Sequence, residues 1–60
     1  MSFRAEIAAL RGRVDQAKSE RDGWRVSGRQ QKYVEAHATV EALELQLDRL
    51  REAARKSAGR

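Results

Sequence analysis

A run of apolar residues with the spacing of a packed helix dominates the second half of this sequence. Between Tyr33 and Ala54, apolar residues recur at alternating intervals of three and four. This spacing places them on one narrow stripe of an α-helix. The stripe consists of Tyr33, Ala36, Val40, Leu43, Leu47, Leu50 and Ala54. A helix with such a stripe packs against another helix, so the sequence predicts an all-α protein.

The first half of the chain carries the same spacing in a different phase. Its stripe consists of Phe3, Ile7, Leu10, Val14, Ala17 and Trp24, with Arg21 at the interrupted position. The two stripes are two residues out of step when both are counted in sevens. Coiled coils accommodate insertions of three or four residues by local unwinding or overwinding, and an offset of two is not one of these cases. A turn between the halves removes the mismatch.

The dipeptide Ser27-Gly28 is the preferred position for that turn. Glycine suits the left-handed conformation that ends many helices, and Ser27 followed by Gln30 has the spacing of a capping box for the next helix. We therefore predict one domain over residues 1–60, with helix one at about 3–26, a turn at 27–28, helix two at about 29–57 and a frayed basic tail at 58–60. The alternative is one continuous long helix in a coiled coil.

The distribution of charge favours the hairpin. Residues 11–32 contain seven Lys and Arg against three acids, whereas residues 33–48 contain four acids and no Lys or Arg. A turn near residues 26–29 lays the basic segment against the acidic one. Exposed ion pairs contribute only a few tenths of a kcal/mol each, so they select orientation and register rather than supply stability.

The length of the chain indicates self-association. A monomer of 60 residues buries only about 60% of the surface that its unfolded chain exposes. The sequence contains no Cys and one His, so neither a disulfide nor a metal centre is expected to staple it. We expect a homo-oligomer, either a coiled coil or a four-helix bundle. The predicted oligomer seam consists of Ile7, Leu10, Val14, Val40, Leu43, Leu47 and Leu50.

No motif in the sequence indicates catalysis, a cofactor, a metal or a small-molecule substrate. His37, Glu41 and Glu44 share one helix face, but this arrangement is more typical of solvated salt-bridge partners than of metal ligands. The longest wholly apolar run, residues 7–10, is far shorter than the roughly 20 residues that span a bilayer. We expect a cytoplasmic, non-enzymatic protein that acts through protein contacts as an adaptor, an assembly module or an inhibitor of a larger protein.

The alternative function is nucleic-acid binding by the basic segment 18–32. The net charge of +4 is a modest excess that does not by itself indicate such binding. Aromatic rings among cations suit base stacking together with phosphate contacts. The candidate surface for a protein partner or a nucleic acid consists of Lys18, Arg21, Trp24, Arg25, Arg29, Lys32 and Tyr33.

Overall fold

Two α-helices joined by a short turn make up the protein in a computed structural model that describes residues 2–58. Helix α1 spans Phe3–Ser27 and helix α2 spans Gln30–Ala58. They pack against each other along their length as an antiparallel hairpin of 49 × 15 × 13 Å. The described residues include no strand. The predicted all-α helical hairpin is confirmed, and the alternative of one continuous helix is wrong.

The helix boundaries differ slightly from the predicted ones. Helix α1 ends at Ser27 rather than near residue 26, and α2 begins at Gln30 rather than near residue 29. Ala58, which we placed in a frayed tail, is the last residue of α2. The other two residues of that predicted tail, 59 and 60, lie outside the described residues. Within residues 2–58, no helix is long and apolar enough to cross a membrane.

Ser2 caps the start of α1. Its backbone is extended, with φ −114° and ψ 116°. The backbone N–H of Ala5 donates to Ser2 Oγ at 3.4 Å, and the N–H of Glu6 donates to the Ser2 carbonyl at 3.1 Å. Glu6 also places a negative charge in the first turn, where the helix dipole favours it. The sequence therefore defines where α1 begins.

Gly28 ends α1 in the left-handed conformation, with φ 78° and ψ 13°. Its N–H donates to the Arg25 carbonyl at 3.3 Å, and the N–H of Arg29 donates to the Trp24 carbonyl at 3.1 Å. These two bonds form the Schellman arrangement that satisfies the last carbonyls of a helix. Ser27 does not cap α2 as we predicted, because it is the last residue of α1 and its hydroxyl donates back to the Trp24 carbonyl at 3.0 Å.

Burial along the seam is uneven, and the unevenness follows the heptad positions. The residues fall into two rows, which we name the a row and the d row. The a row contains Ile7, Val14, Arg21, Tyr33, Val40, Leu47 and Ala54, and the d row contains Phe3, Leu10, Ala17, Trp24, Ala36, Leu43 and Leu50. Within residues 2–58, the buried side chains are Val14, Val40 and Leu47, with exposures of 4%, 1% and 7%, and all three belong to the a row. The other four members of the a row are half-buried, and so is the d row except for Phe3, which is 37% exposed. The a rows therefore form the core between the helices, and the d rows lie at one edge of it.

Candidate functional site

One side of the hairpin, which we name the charged face, is covered by long ionic side chains. On α1 it carries a cation at every seventh residue. The row consists of Arg4, Arg11, Lys18 and Arg25. Lys18 Nζ lies 3.3 Å from Glu44 Oε2 on α2, which is an ion pair between the helices. This pair agrees with the predicted contact of the basic and acidic segments.

The charged side chains also cover the adjacent a row. Lys18 and Glu44 border the same groove as Val14 and Leu47, together with Arg11, Asp15 and Arg51. Side chains of this kind lay their methylene stems over apolar surface and keep the charged group in water. Both members of the pair are half-buried as residues. On the charged face, the apolar seam is therefore bordered by charged side chains of both helices.

The opposite side of the hairpin, which we name the open face, has fewer charged side chains along α2. It consists of the d row together with the flanking residues Arg13 and Glu20 on α1 and Thr39, Gln46 and Ala53 on α2. Leu10 and Leu50 line one groove on this side, and its α2 flank consists of Gln46, Arg49 and Ala53. Both leucines are only half-buried, so they remain in contact with water.

A second groove on the open face lies near the turn. Glu20, Gly23, Trp24 and Ser27 line it, and its volume is about 350 Å³. Apart from its neighbours in the chain and the backbone of its own helix, Gly23 has no atom within 4 Å of the position that a Cβ would occupy. The groove is a concave apolar site beside a large aromatic residue, which is typical of places where a partner side chain inserts.

The dimensions of the hairpin show how much surface it leaves unburied. It exposes 5013 Å², whereas a compact monomer of 6.8 kDa is expected to expose about 3,950 Å². The radius of gyration is 14.2 Å, compared with about 10.4 Å for a compact chain of this length. The excess surface is therefore about 1,000 Å², which slightly exceeds the roughly 800 Å² that each partner buries in a standard interface.

The residues predicted as a partner or nucleic-acid surface do not share one face. Lys18 and Arg25 lie on the charged face, Trp24 lies on the open face, and Arg21 occupies the a row with its Nε 3.2 Å from Asp22 Oδ1. Exposed Arg29 and Lys32 lie at the turn and in the first turn of α2. Tyr33 is half-buried, and its ring stacks on His37 at a centroid distance of 6.0 Å.

His37, Glu41 and Glu44, which share one face of α2, make separate contacts. His37 Nε2 lies 2.8 Å from Glu41 Oε1, which is hydrogen-bond distance, while Glu44 forms an ion pair with Lys18. Among residues 2–58, no three or more His, Asp or Glu side chains are grouped so that they could hold a metal ion. The three side chains thus lie along one side of α2 without converging on a common point.

Two features of the charged and open faces were detectable in the sequence but were not predicted from it. The cations at residues 4, 11, 18 and 25 recur at intervals of seven, and this spacing alone indicates one face of a helix. The difference between the two faces was also detectable, because the residues that flank the d row of α2 are Thr39, Gln46 and Ala53, whereas those that flank its a row include Glu44 and Arg51.

Comparisons of the chain with protein-family models, with curated proteins and with solved structures give no match. The geometry of the two faces is therefore the basis of the functional proposal.

Proposed function

We propose that this protein is a small, non-enzymatic helical hairpin that self-associates in the cytoplasm and acts through protein–protein contacts, as an adaptor, an assembly module or an inhibitor of a larger protein. One observation carries the proposal. All three buried side chains lie in the a row, while the whole d row stays half-exposed on the open face. A hairpin with this arrangement gains stability when another surface covers its d row.

The residues of the predicted seam have two different roles in this proposal. Ile7, Val14, Val40 and Leu47 belong to the a row and hold the two helices together. Leu10, Leu43 and Leu50 belong to the d row and contact the neighbouring molecule. Burial of apolar surface contributes roughly 25 cal/mol per Å², so covering these leucines supplies several kcal/mol of gross association energy before the entropic cost of binding.

Leu50→Gln tests the open face directly. We expect at least a tenfold weaker self-association, because a polar amide replaces an apolar side chain in each copy of the interface. Leu45→Gln is the matched control. Leu45 lies on the outer side of α2 and is 52% exposed, so this variant should associate like the wild type. Sedimentation equilibrium measures the association, and far-UV circular dichroism verifies that both variants remain helical.

If both variants associate as strongly as the wild type, the open face is not the contact surface. The same conclusion follows if both variants weaken association equally, because Leu45 on the outer side of α2 is then as important as Leu50.

The second candidate function is nucleic-acid binding, and the row of four cations on the charged face favours it. Such a row neutralises phosphates, so affinity would fall steeply and linearly with the logarithm of salt concentration. Reversing Arg25 of this row together with Arg29 at the adjacent turn, both in the basic segment 18–32, to Glu should abolish this binding. An affinity that does not change with salt or with these reversals rules out the second candidate.

A further inference from the structure

The pattern of charge on the open face identifies its occupant. We infer that a second copy of this chain packs face to face on the open face in an antiparallel orientation, with Arg13 of each copy opposite Glu20 of the other. The inference rests on the proposed function, since it assumes that the open face is a protein contact surface. It adds the identity of the partner, its orientation and its register.

Arg13 and Glu20 lie on the open face of α1 without an ionic partner in the described part of the hairpin. Both are exposed. Neither has a charged residue three or four positions away along α1, which is the spacing at which helical side chains interact. Opposite charges placed seven residues apart on one face are complementary to a second copy that runs the other way. An antiparallel copy brings each Arg13 to a Glu20, and the pair occurs twice by symmetry.

The apolar d row fits the same two-fold axis. When residue 13 lies opposite residue 20, Ala17 lies close to Ala17 of the other copy, and Leu10 lies at the level of Trp24. On α2 the same axis brings Leu43 close to its own copy and Ala36 to the level of Leu50. Each layer therefore combines large and small side chains, which is the pattern of interdigitated cores. The groove beside Trp24 and Gly23 receives Leu10 of the second copy.

The other symmetric arrangement joins the two turns at the same end. In that case α1 of one copy lies on α2 of the other at the same level, and Arg13 approaches Arg49. Like charges then meet twice, and Glu20 faces the neutral residues Thr39 and Ala42. Because like charges that face each other oppose association and select against an arrangement, the antiparallel arrangement is the favoured one.

The available area is sufficient for a stable dimer. The hairpin exposes about 1,000 Å² more than a compact monomer of its mass, calculated from its 5013 Å² surface. Burying about 800 Å² on each copy gives an interface of standard size. One partner therefore removes the excess surface without any additional chain.

Charge exchange between Arg13 and Glu20 tests the orientation. The single variants Arg13→Glu and Glu20→Arg each replace two attractive contacts by two repulsive ones, so the dissociation constant of the dimer should rise about tenfold. The double variant should return it to within about threefold of the wild-type value, because both pairs are restored in reverse. Arg25→Glu on the charged face carries the same change in net charge as Arg13→Glu and should leave the dimer intact. Sedimentation equilibrium at low salt measures all four variants.

A cysteine on the predicted axis tests the register independently. The sequence contains no Cys, so Ala17→Cys introduces a single thiol in each chain. In the antiparallel dimer the two thiols face each other and form an intermolecular disulfide under mild oxidation. Ser19→Cys lies on the outer side of α1 and should cross-link much more slowly. Non-reducing electrophoresis over time compares the two rates.

The outcomes separate this inference from the proposed function. Rescue by the double variant and rapid cross-linking through Ala17→Cys support the antiparallel dimer. If the protein self-associates and Leu50→Gln disrupts it, but the charge exchange has no effect or Ala17→Cys reacts no faster than Ser19→Cys, the antiparallel arrangement is overturned while the proposed function stands. A wild-type protein that stays monomeric overturns both.

Discussion

Gly28 occupies the one position in the described chain where the backbone has a positive φ, at 78°. An L-residue with a Cβ is strained in that region by roughly 1 kcal/mol. Gly28→Ala should therefore lower the free energy of unfolding by about 1 kcal/mol, although no atom lies within 4 Å of the added Cβ. Urea unfolding followed by circular dichroism, at one fixed protein concentration, measures the change.

Gly12→Ala is the matched control for Gly28→Ala. Gly12 lies inside α1, and no atom lies within 4 Å of an added Cβ. Alanine is favoured over glycine by about 0.8–1 kcal/mol in a helix interior. The control should therefore raise the free energy of unfolding, so the two substitutions have opposite signs. If both variants change the free energy of unfolding in the same direction, the left-handed conformation at Gly28 does not determine the effect of substitution there.

For single residues, the sequence predicted the turn at Gly28 correctly, but it did not predict the hydrogen bond that Ser27 forms. Glycine is the residue type best suited to a left-handed helix end, so its position in the chain predicted the turn. A serine hydroxyl can accept a hydrogen bond from a residue ahead of it or donate one to a carbonyl behind it. Ser27 does the second, through the Trp24 carbonyl. The spacing of residues along the chain does not distinguish these two bonds.

Helix α2 begins without a favourable cap. The N–H of Tyr33 donates to the Arg29 carbonyl at 2.9 Å, which places Arg29 at the cap position. The first turn of α2 contains no acid, and it includes the basic residue Lys32. Cations are unfavourable at this end of the helix dipole, and arginine is not a capping residue. The start of α2 is therefore a site where stability can be gained.

Arg29→Asp should stabilise the hairpin by about 0.5–2 kcal/mol, because the carboxylate accepts hydrogen bonds from the free N–H groups and interacts favourably with the helix dipole. Arg29→Ala is the control, since it removes the same cation without supplying a cap. Thermal unfolding at one protein concentration compares them. An Asp variant no more stable than the Ala variant would exclude a capping deficit at this helix end.

The existence, the phase and the approximate ends of both helices were predictable from the sequence, because the apolar spacing is regular on each side of the turn. The difference in burial between the rows was not predicted. The apolar spacing predicts the same burial for Leu43 and Leu47, yet Leu47 is buried and Leu43 is half-buried. Their burial depends on which neighbours are long enough to cover them. On α2, the charged residues Glu44 and Arg51 flank the a row, whereas the uncharged residues Thr39, Gln46 and Ala53 flank the d row.

The whole molecule is a rod rather than a compact domain. Its radius of gyration is 14.2 Å, and its cross-section is 15 × 13 Å. A rod of two helices has only one internal contact surface, so it buries few side chains. Covering the open face with a second hairpin makes a bundle with a continuous core, in which the d rows of both copies are buried. In the proposed dimer, stability and assembly are coupled, so unfolding should occur at higher temperature as protein concentration rises.

Sedimentation equilibrium of the wild-type chain, from micromolar to millimolar concentration, is the most direct measurement of the central claim. Coverage of the open face by a second copy predicts a mass that approaches twice the 6.8 kDa of one chain as concentration increases. A mass that stays at 6.8 kDa over the whole range, in a sample that remains helical, would contradict it.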